Sequence, residues 1–74
     1  MRVLITGGSG FIGAYLIDEF LKIDEREIVN IDITEPADKI HLPFWKLVDI
    51  LNKDKVIEVF QKFQPDCIVH LAAR

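Results

Sequence analysis

All four glycines of this 74-residue chain lie within seven consecutive positions near its start. They belong to the run Thr6-Gly7-Gly8-Ser9-Gly10-Phe11-Ile12-Gly13, which directly follows the apolar residues Val3-Leu4-Ile5. A short β-branched and apolar run indicates a buried strand, and apolar residues at helical spacing after the glycines indicate a helix. A strand, a glycine-rich turn and a helix in this order favour a phosphate-binding loop, for which glycine spacing without that context would be a weak signal.

Three of these glycines have separate physical roles in such a loop. Gly7, at the end of the strand, allows a sharp turn with a positive φ. Gly10 has no Cβ and lets a bulky anion approach the backbone, while Gly13 lets the helix lie close to the strand. The first free N–H groups of the helix then favour an anion such as a pyrophosphate. The alternative is an ordinary strand-to-helix turn, although one glycine usually suffices for such a turn.

The composition is that of a globular domain, with half of the residues hydrophobic, 28% charged and a net charge of −3. No segment is long and apolar enough to cross a membrane, and the mild acidity argues against a nucleic-acid surface. The single cysteine, Cys67, lies in an apolar run and is predicted to be a small buried hydrophobic residue. Because a lone cysteine builds no disulfide framework and a strand starts beside Met1, we expect a cytoplasmic chain without a leader peptide.

The hydrophobic pattern predicts strands that alternate with helices. Strands are predicted over residues 2–6, 27–31, 44–48 and 67–71, and helices over residues 11–23 and 52–63, with a loop that can hold one short helical turn over residues 34–42. In the first helix, the residues predicted to face the core are Ile12, Tyr15, Leu16, Phe20 and Ile23. Asn52 is predicted to cap the second helix, which ends before Pro65.

Alternating strands and helices indicate an α/β fold built from parallel βαβ units with right-handed crossovers. The predicted sheet has four strands in the order 3-2-1-4, with the first helix on one face and the second on the other. The strand order reverses between strands one and four, and ligands bind above such a crevice. The glycine loop lies at that point.

Asp32 is predicted to bind a ribose. It follows Gly13 by nineteen residues and ends the second strand, the position of the ribose-binding carboxylate in dinucleotide-binding units. A carboxylate there accepts hydrogen bonds from ribose hydroxyls and repels a 2′-phosphate, which favours NAD over NADP. The alternative is a solvated loop aspartate. For Asp49, at the end of strand three, contact with an adenine amino group and a simple turn role both remain open.

The two histidines and the terminal arginine carry weaker signals. His70 lies inside strand four with no second histidine or cysteine at ligand spacing, so we predict a hydrogen-bonded strand residue, not a catalytic one. His41, in the predicted loop, carries no functional signal. Arg74 could reach a phosphate near the crevice, but a solvated terminal side chain is the preferred interpretation.

Several motifs in this order resemble those of the extended short-chain dehydrogenase/reductases, and among them the NAD-dependent sugar-nucleotide epimerases and dehydratases. The motifs are the Thr6–Gly13 run, Asp32, Asp49-Ile50, Pro65-Asp66 and His70-Leu71-Ala72-Ala73. The resemblance implies a Rossmann-type fold and an NAD site. It implies that the pyrophosphate lies against Gly7, Gly10, Phe11, Ile12 and Gly13, the ribose against Asp32, the adenine between Asp49 and Ile50, and the ribose and nicotinamide side against the backbone of Leu71, Ala72 and Ala73.

The chain departs from this family in its chemistry. Catalysis in the family resembles hydride transfer assisted by a tyrosine with a lysine four residues later, whereas here the single tyrosine, Tyr15, is followed at that spacing by Glu19. We therefore expect an N-terminal, cofactor-binding part of such an enzyme that is inactive alone and meets a nucleotide-sugar substrate only in a full-length parent. The alternative is a non-catalytic module that forms homo-oligomers or associates with the missing part of the domain. A GTPase-like or kinase-like phosphate loop is disfavoured because no lysine followed by serine or threonine comes after the glycines.

Overall fold

The computed structural model describes residues 1–23 and 26–72. Its elements in chain order are β1 (Arg2–Thr6), α1 (Phe11–Leu21), β2 (Glu27–Asp32), a 3-10 helix (Lys39–Phe44), β3 (Trp45–Leu47), α2 (Lys53–Phe63) and β4 (Cys67–His70). The four strands form one parallel sheet in the order β3-β2-β1-β4. The predicted fold class and strand order are therefore confirmed.

The two faces of the sheet carry separate apolar cores because successive side chains of a strand point to opposite sides. Leu4 of β1 packs on the face covered by α2, in a cluster that includes Val59. Val3 and Ile5 point to the other face and pack with Ile17 of α1. One helix therefore covers each face, as the crossover pattern predicts.

The prediction that Ile12, Tyr15 and Ile23 face the core is wrong. Ile12 and Tyr15 are 63% and 65% exposed, and Ile23 lies outside the helix and is also exposed. The buried residues of α1 are Gly13 and Ile17. A Cβ on Gly13 would collide with the backbone of Gly8, so the helix is seated on the loop through its glycine, and this contact turns Ile12 and Tyr15 outward.

The prediction for Cys67 is also wrong, because this cysteine is exposed. It lies in β4, which pairs on one side with β1, where Cys67 is opposite Val3. Within the described residues, no strand pairs with the other side of β4. An apolar run predicts burial only when a neighbouring element covers it, and no strand of the described ranges covers the outer side of β4.

The connection between β2 and β3 contains a 3-10 helix where the sequence predicts at most one helical turn, and β3 is correspondingly shorter than predicted. Asp38 caps this helix by accepting a hydrogen bond from the Ile40 N–H. His41 is 1% exposed, and its Nε2 lies 2.7 Å from Oδ1 of Asp18 on α1. The histidine therefore ties this connection to α1, a structural role that the sequence did not indicate.

The ends of α2 follow the predicted signals. Oδ1 of Asn52 accepts a hydrogen bond from the Lys55 N–H at 3.2 Å, which is an N-cap contact. The helix ends at Phe63, and Gln64 adopts a left-handed conformation with φ of 52° before Pro65. Over residues 1–23 and 26–72, neither helix has the length and apolar character that a membrane span requires.

Candidate functional site

The glycine loop lies where the carboxyl ends of β1, β2 and β4 meet. The N–H of Gly7 donates to the Ile31 carbonyl at 3.0 Å, which joins the loop to β2. Gly7 has a φ of 73°, and a Cβ there would lie 2.7 Å from the backbone nitrogen of Ala72, just beyond β4. Both the conformation and the close approach therefore require glycine, as predicted for this position.

The N-terminus of α1 is open toward the same groove. Gly10 is the N-cap residue, and among the described residues no side chain caps this end of the helix. A Cβ on Gly10 would meet only the Gly7 carbonyl oxygen, at 3.6 Å. The first N–H groups of a helix have no partner inside it and carry a partial positive charge. This end of α1 can therefore accept an anion.

Most of the residues predicted for the site line two adjoining hollows. The first is an open groove of about 280 Å³ lined by Gly7, Gly10, Phe11, Ile12, Gly13 and Leu71. The second, much smaller, is lined by Ile31, Asp32, Ile33, Val48, Ile50 and Ala72. Leu71 lines the first hollow, and the next residue in the chain, Ala72, lines the second. The structure thus brings together the residues proposed for a pyrophosphate and those proposed for an adenosine.

The carboxylate of Asp32 is held by two backbone N–H groups. Its Oδ2 accepts from Ser9 and its Oδ1 from Thr34, both at 3.0 Å. The Asp32 carbonyl accepts from the indole Nε1 of Trp45 at 2.9 Å. The hydrogen bond from Ser9 directs the carboxylate toward the glycine loop, so Asp32 is not a freely solvated loop aspartate.

Among the described residues predicted for the site, Asp49 is the one that lines neither hollow. Oδ1 of Asp49 accepts from the Leu51 N–H at 2.9 Å and its carbonyl accepts from the Asn52 N–H at 2.8 Å, which gives this residue a turn role. Contact between Asp49 and an adenine stays a prediction. Ala73 and Arg74 lie outside the described residues.

Thr6 positions the backbone that follows β4. Its Oγ1 accepts hydrogen bonds from the N–H groups of Leu71 (3.1 Å) and Ala72 (3.3 Å) and lies 2.6 Å from Nδ1 of His70. His70 is therefore a hydrogen-bonded strand residue, as predicted, and Thr6 is a site-forming residue that the sequence reasoning missed.

Asn30 is a second residue that the sequence reasoning missed. It is fully buried in β2, and its carboxamide reaches the glycine loop at Gly8 and Ser9. A signal was available in the sequence, because Asn30 is the one polar residue of the apolar run before Asp32 and lies two positions from it, on the same face of the strand.

A larger groove, of about 460 Å³, lies between α2 and strands β2 and β3. Its floor is apolar, with Val29 and Val59, and its rim carries lysines, of which Lys62 is paired with Glu58 at 3.0 Å. Its described lining includes no residue of the glycine loop, and the nearby N-terminus of α2 is capped by the Asn52 side chain. The loop groove is therefore the better candidate for an anion.

The comparison with known families agrees with this geometry. Residues 3–74 match the model of the NAD dependent epimerase/dehydratase family. This chain belongs to that family. A dTDP-glucose 4,6-dehydratase of Haemophilus influenzae is 37% identical to it over 82 residues, which cover 99% of this chain and 24% of that protein. A probable dTDP-glucose 4,6-dehydratase of Sinorhizobium fredii is 34% identical and is matched over 23% of its length. This chain thus spans about a quarter of the length of the curated relatives that it matches.

Solved structures of the family share the fold. The structure of a dTDP-glucose 4,6-dehydratase from Bacillus anthracis in complex with NAD superposes with a TM-score of 0.85 at 27% identity, over all of this chain and 27% of the other. A UDP-glucose 4-epimerase from Thermus thermophilus, also in complex with NAD, gives a TM-score of 0.83 at 32% identity, over all of this chain and 24% of the other. The family resemblance carried by the sequence motifs is therefore confirmed. The present member contains no tyrosine with a lysine four residues later, since its single Tyr15 is followed by Glu19 at that spacing.

Proposed function

We propose that this chain forms the half of an NAD site that holds the adenosine diphosphate portion of the cofactor. The observation that carries the proposal is the convergence of the glycine loop, the open N-terminus of α1 and the Asp32 carboxylate on two adjoining hollows. A dinucleotide needs a donor-lined groove for its pyrophosphate and an acceptor for its ribose hydroxyls, and these lie side by side here.

Each residue has a stated part in this proposal. The pyrophosphate lies at Gly7, Gly10 and the first turn of α1, where Phe11, Ile12 and Gly13 present backbone to the groove. The carboxylate of Asp32 accepts from the ribose and repels a 2′-phosphate. The adenine lies beside Ile50, with Asp49 at its edge. The backbone of Leu71, Ala72 and Ala73 borders the path toward the nicotinamide.

The parent activity that we propose is that of an NAD-dependent epimerase or dehydratase acting on a nucleotide sugar. Support comes from the family membership and from relatives named dTDP-glucose 4,6-dehydratase. The 74-residue chain by itself is proposed to be inactive, because the tyrosine and lysine pair of this chemistry is absent from its sequence. A cytoplasmic location is proposed because a lone cysteine suits a reducing compartment.

Titration with NAD and with NADP, followed by calorimetry and by the thermal unfolding midpoint, tests the proposal. A ligand that binds only the folded state raises the midpoint with its concentration. We expect NAD to bind more tightly than NADP, and the Asp32→Ala variant to narrow the ratio of the two affinities by about tenfold, since a like-charge repulsion is removed. Asp54→Ala, which removes the same charge from α2, should leave the ratio unchanged. Equal binding of both cofactors to the wild-type chain would remove the role given to Asp32, and binding of neither would refute the site.

A second proposed property is assembly. The outer side of β4 has no strand partner within the described residues, and Ile68 on this strand is 49% exposed. Unpaired strand edges of this kind favour association. We propose that the chain forms homo-oligomers or associates with the remaining part of the domain.

A further inference from the structure

Asn30 has an environment that is unusual for an asparagine. It lies in the middle of the sheet, on β2, and is 0% exposed. A buried carboxamide destabilises a fold unless its donor and acceptor are satisfied. Both are satisfied by the same short loop: Oδ1 accepts from the Gly8 N–H at 2.8 Å, and Nδ2 donates to Oγ of Ser9 at 3.1 Å.

We propose that Asn30 is a positioning residue for cofactor binding, which sets the shape of the glycine loop and the seating of α1 before NAD arrives. This inference rests on the proposed NAD site. The carboxamide is in such close contact with Gly8 that a Cβ there would lie 2.5 Å from Oδ1. Gly8 in turn lies directly against Gly13 of α1. A continuous series of contacts therefore runs from a β2 side chain, through the loop, to the helix end that faces the anion.

The same contacts decide which N–H groups remain for the ligand. The Gly7 N–H is used by the Ile31 carbonyl, the Gly8 N–H by Asn30 and the Ser9 N–H by Asp32. The loop amides before α1 are thus directed into the protein, and the first turn of the helix is left to face the groove. Without the Asn30 acceptor, the buried Gly8 N–H would have to turn elsewhere to find a partner, because an unpaired buried donor is unfavourable.

Asn30 also bears on the orientation of Asp32. The two residues share one face of β2, and both hold Ser9, Asn30 through the hydroxyl and Asp32 through the backbone N–H. If Ser9 moves, Asp32 loses one of the two donors that orient its carboxylate. Asn30 should therefore affect both the affinity for NAD and the discrimination against NADP.

The test compares Asn30→Leu, which keeps the branched outline of the side chain and removes both hydrogen bonds, with Val29→Ala, which weakens the neighbouring core on the opposite face of β2 and lines neither hollow of the site. Two readouts are used: the affinity for NAD of the folded protein, and hydrogen exchange of the Gly8 amide measured by NMR without ligand. We expect Asn30→Leu to bind NAD about tenfold more weakly and to exchange its Gly8 amide faster, since one buried donor loses its partner. Val29→Ala should lower the thermal midpoint yet keep its NAD affinity within about twofold of wild type.

The outcomes separate this inference from the proposed function. If Asn30→Leu binds NAD as tightly as Val29→Ala does, the inference is overturned while the NAD site stands. If the wild-type chain does not bind NAD, the proposed function fails. The exchange rate of the Gly8 amide then tests separately whether Asn30 holds the loop, and equal rates in the two variants would overturn that inference. Should Asn30→Leu not fold, Ser9→Ala removes only the Nδ2 contact, and an unchanged NAD-to-NADP ratio in that variant would contradict the role.

Discussion

At the scale of single residues, Gly7 and Gly10 show that two glycines of one loop are needed for different reasons. Gly7 has a left-handed conformation and is packed against the backbone after β4. Gly10 has an ordinary extended conformation, with φ of −79°, and a Cβ there would make an ordinary contact with the Gly7 carbonyl oxygen, at 3.6 Å. The first glycine is therefore required by the fold, whereas the second is required, under the proposed function, by the pyrophosphate in the groove.

This difference predicts opposite behaviour of two alanine variants. Gly7→Ala should lower the free energy of unfolding by about 2 kcal/mol or more, because the new methyl is strained in φ and collides with Ala72. Gly10→Ala should change it by less than about 1 kcal/mol but place a methyl in the groove and weaken NAD binding. Urea unfolding and NAD titration of both variants measure these effects. A large loss of stability in Gly10→Ala would show that the groove at this position is not open.

At the scale of elements, the two helices differ in how they begin. α2 begins with the Asn52 side-chain cap and has Asp54 in its first turn, so its own side chains satisfy and neutralise its N-terminus. α1 begins with Gly10 and has no acidic residue in its first turn. The contrast is readable from the sequence and has a physical meaning: the helix end that we propose to hold a cofactor phosphate has no competing carboxylate in its first turn.

The exposed face of α2 carries an ion pair that should make its stability depend on pH. Glu58 and Lys62 lie one turn apart at 3.0 Å, and the hydrogen bond from Lys62, followed by the charges of Lys62 and Lys55, holds the pKa of Glu58 below its ordinary value. A carboxyl whose pKa is lowered by folding stabilises the fold when ionised. Its contribution is therefore present above the pKa of the unfolded chain and is lost as the pH falls through the lower folded value.

Thermal unfolding of the wild-type chain and of Glu58→Gln between about pH 7 and pH 2 tests this dependence, since an unperturbed glutamate titrates near about 4.3. We expect a small advantage of the wild type at neutral pH, in keeping with an exposed helix pair. The advantage should disappear at the acidic end and shrink in high salt. An advantage that persisted below pH 3 would mean that the side chain acts through packing and not through its charge.

At the scale of the whole molecule, the distribution of exposed apolar groups is uneven. The open side of β4 exposes Cys67 and Ile68, and the outer face of α1 exposes Phe11, Ile12 and Tyr15. β3, at the other edge of the sheet, has only three residues, and a short edge strand offers little surface for pairing. The proposed association should therefore use the β4 side.

Sedimentation velocity over a range of micromolar concentrations should show a sedimentation coefficient that rises with concentration. Ile68→Lys should reduce this rise, because a charge on an edge strand opposes pairing. Ile40→Lys adds the same charge at an exposed apolar residue of the 3-10 helix and serves as the control. A folded monomer at every concentration tested, or an equal effect of both lysines, would argue against assembly through β4.

The sequence by itself determined the order of the elements, the parallel sheet and the place of the glycine loop. These follow from periodicity, from glycine and proline positions and from chain connectivity, which are local properties or depend only on chain order. The Asn52 cap and the end of α2 before Pro65 were predictable for the same reason. The sequence also predicted that the glycine loop and Asp32 lie close together, because the carboxyl ends of parallel strands meet at one edge of the sheet.

Only the tertiary structure decided which side chains meet across the fold. The burial of His41 depends on Asp18, twenty-three residues earlier, and the role of Asn30 depends on Gly8 and Ser9 in the loop. The outward turn of Ile12 and Tyr15 follows from one backbone contact at Gly13, and the exposure of Cys67 follows from the open side of β4. Because α1 has apolar side chains on more than one side, its helical spacing does not decide which face is buried, and the elements against which it packs make that choice.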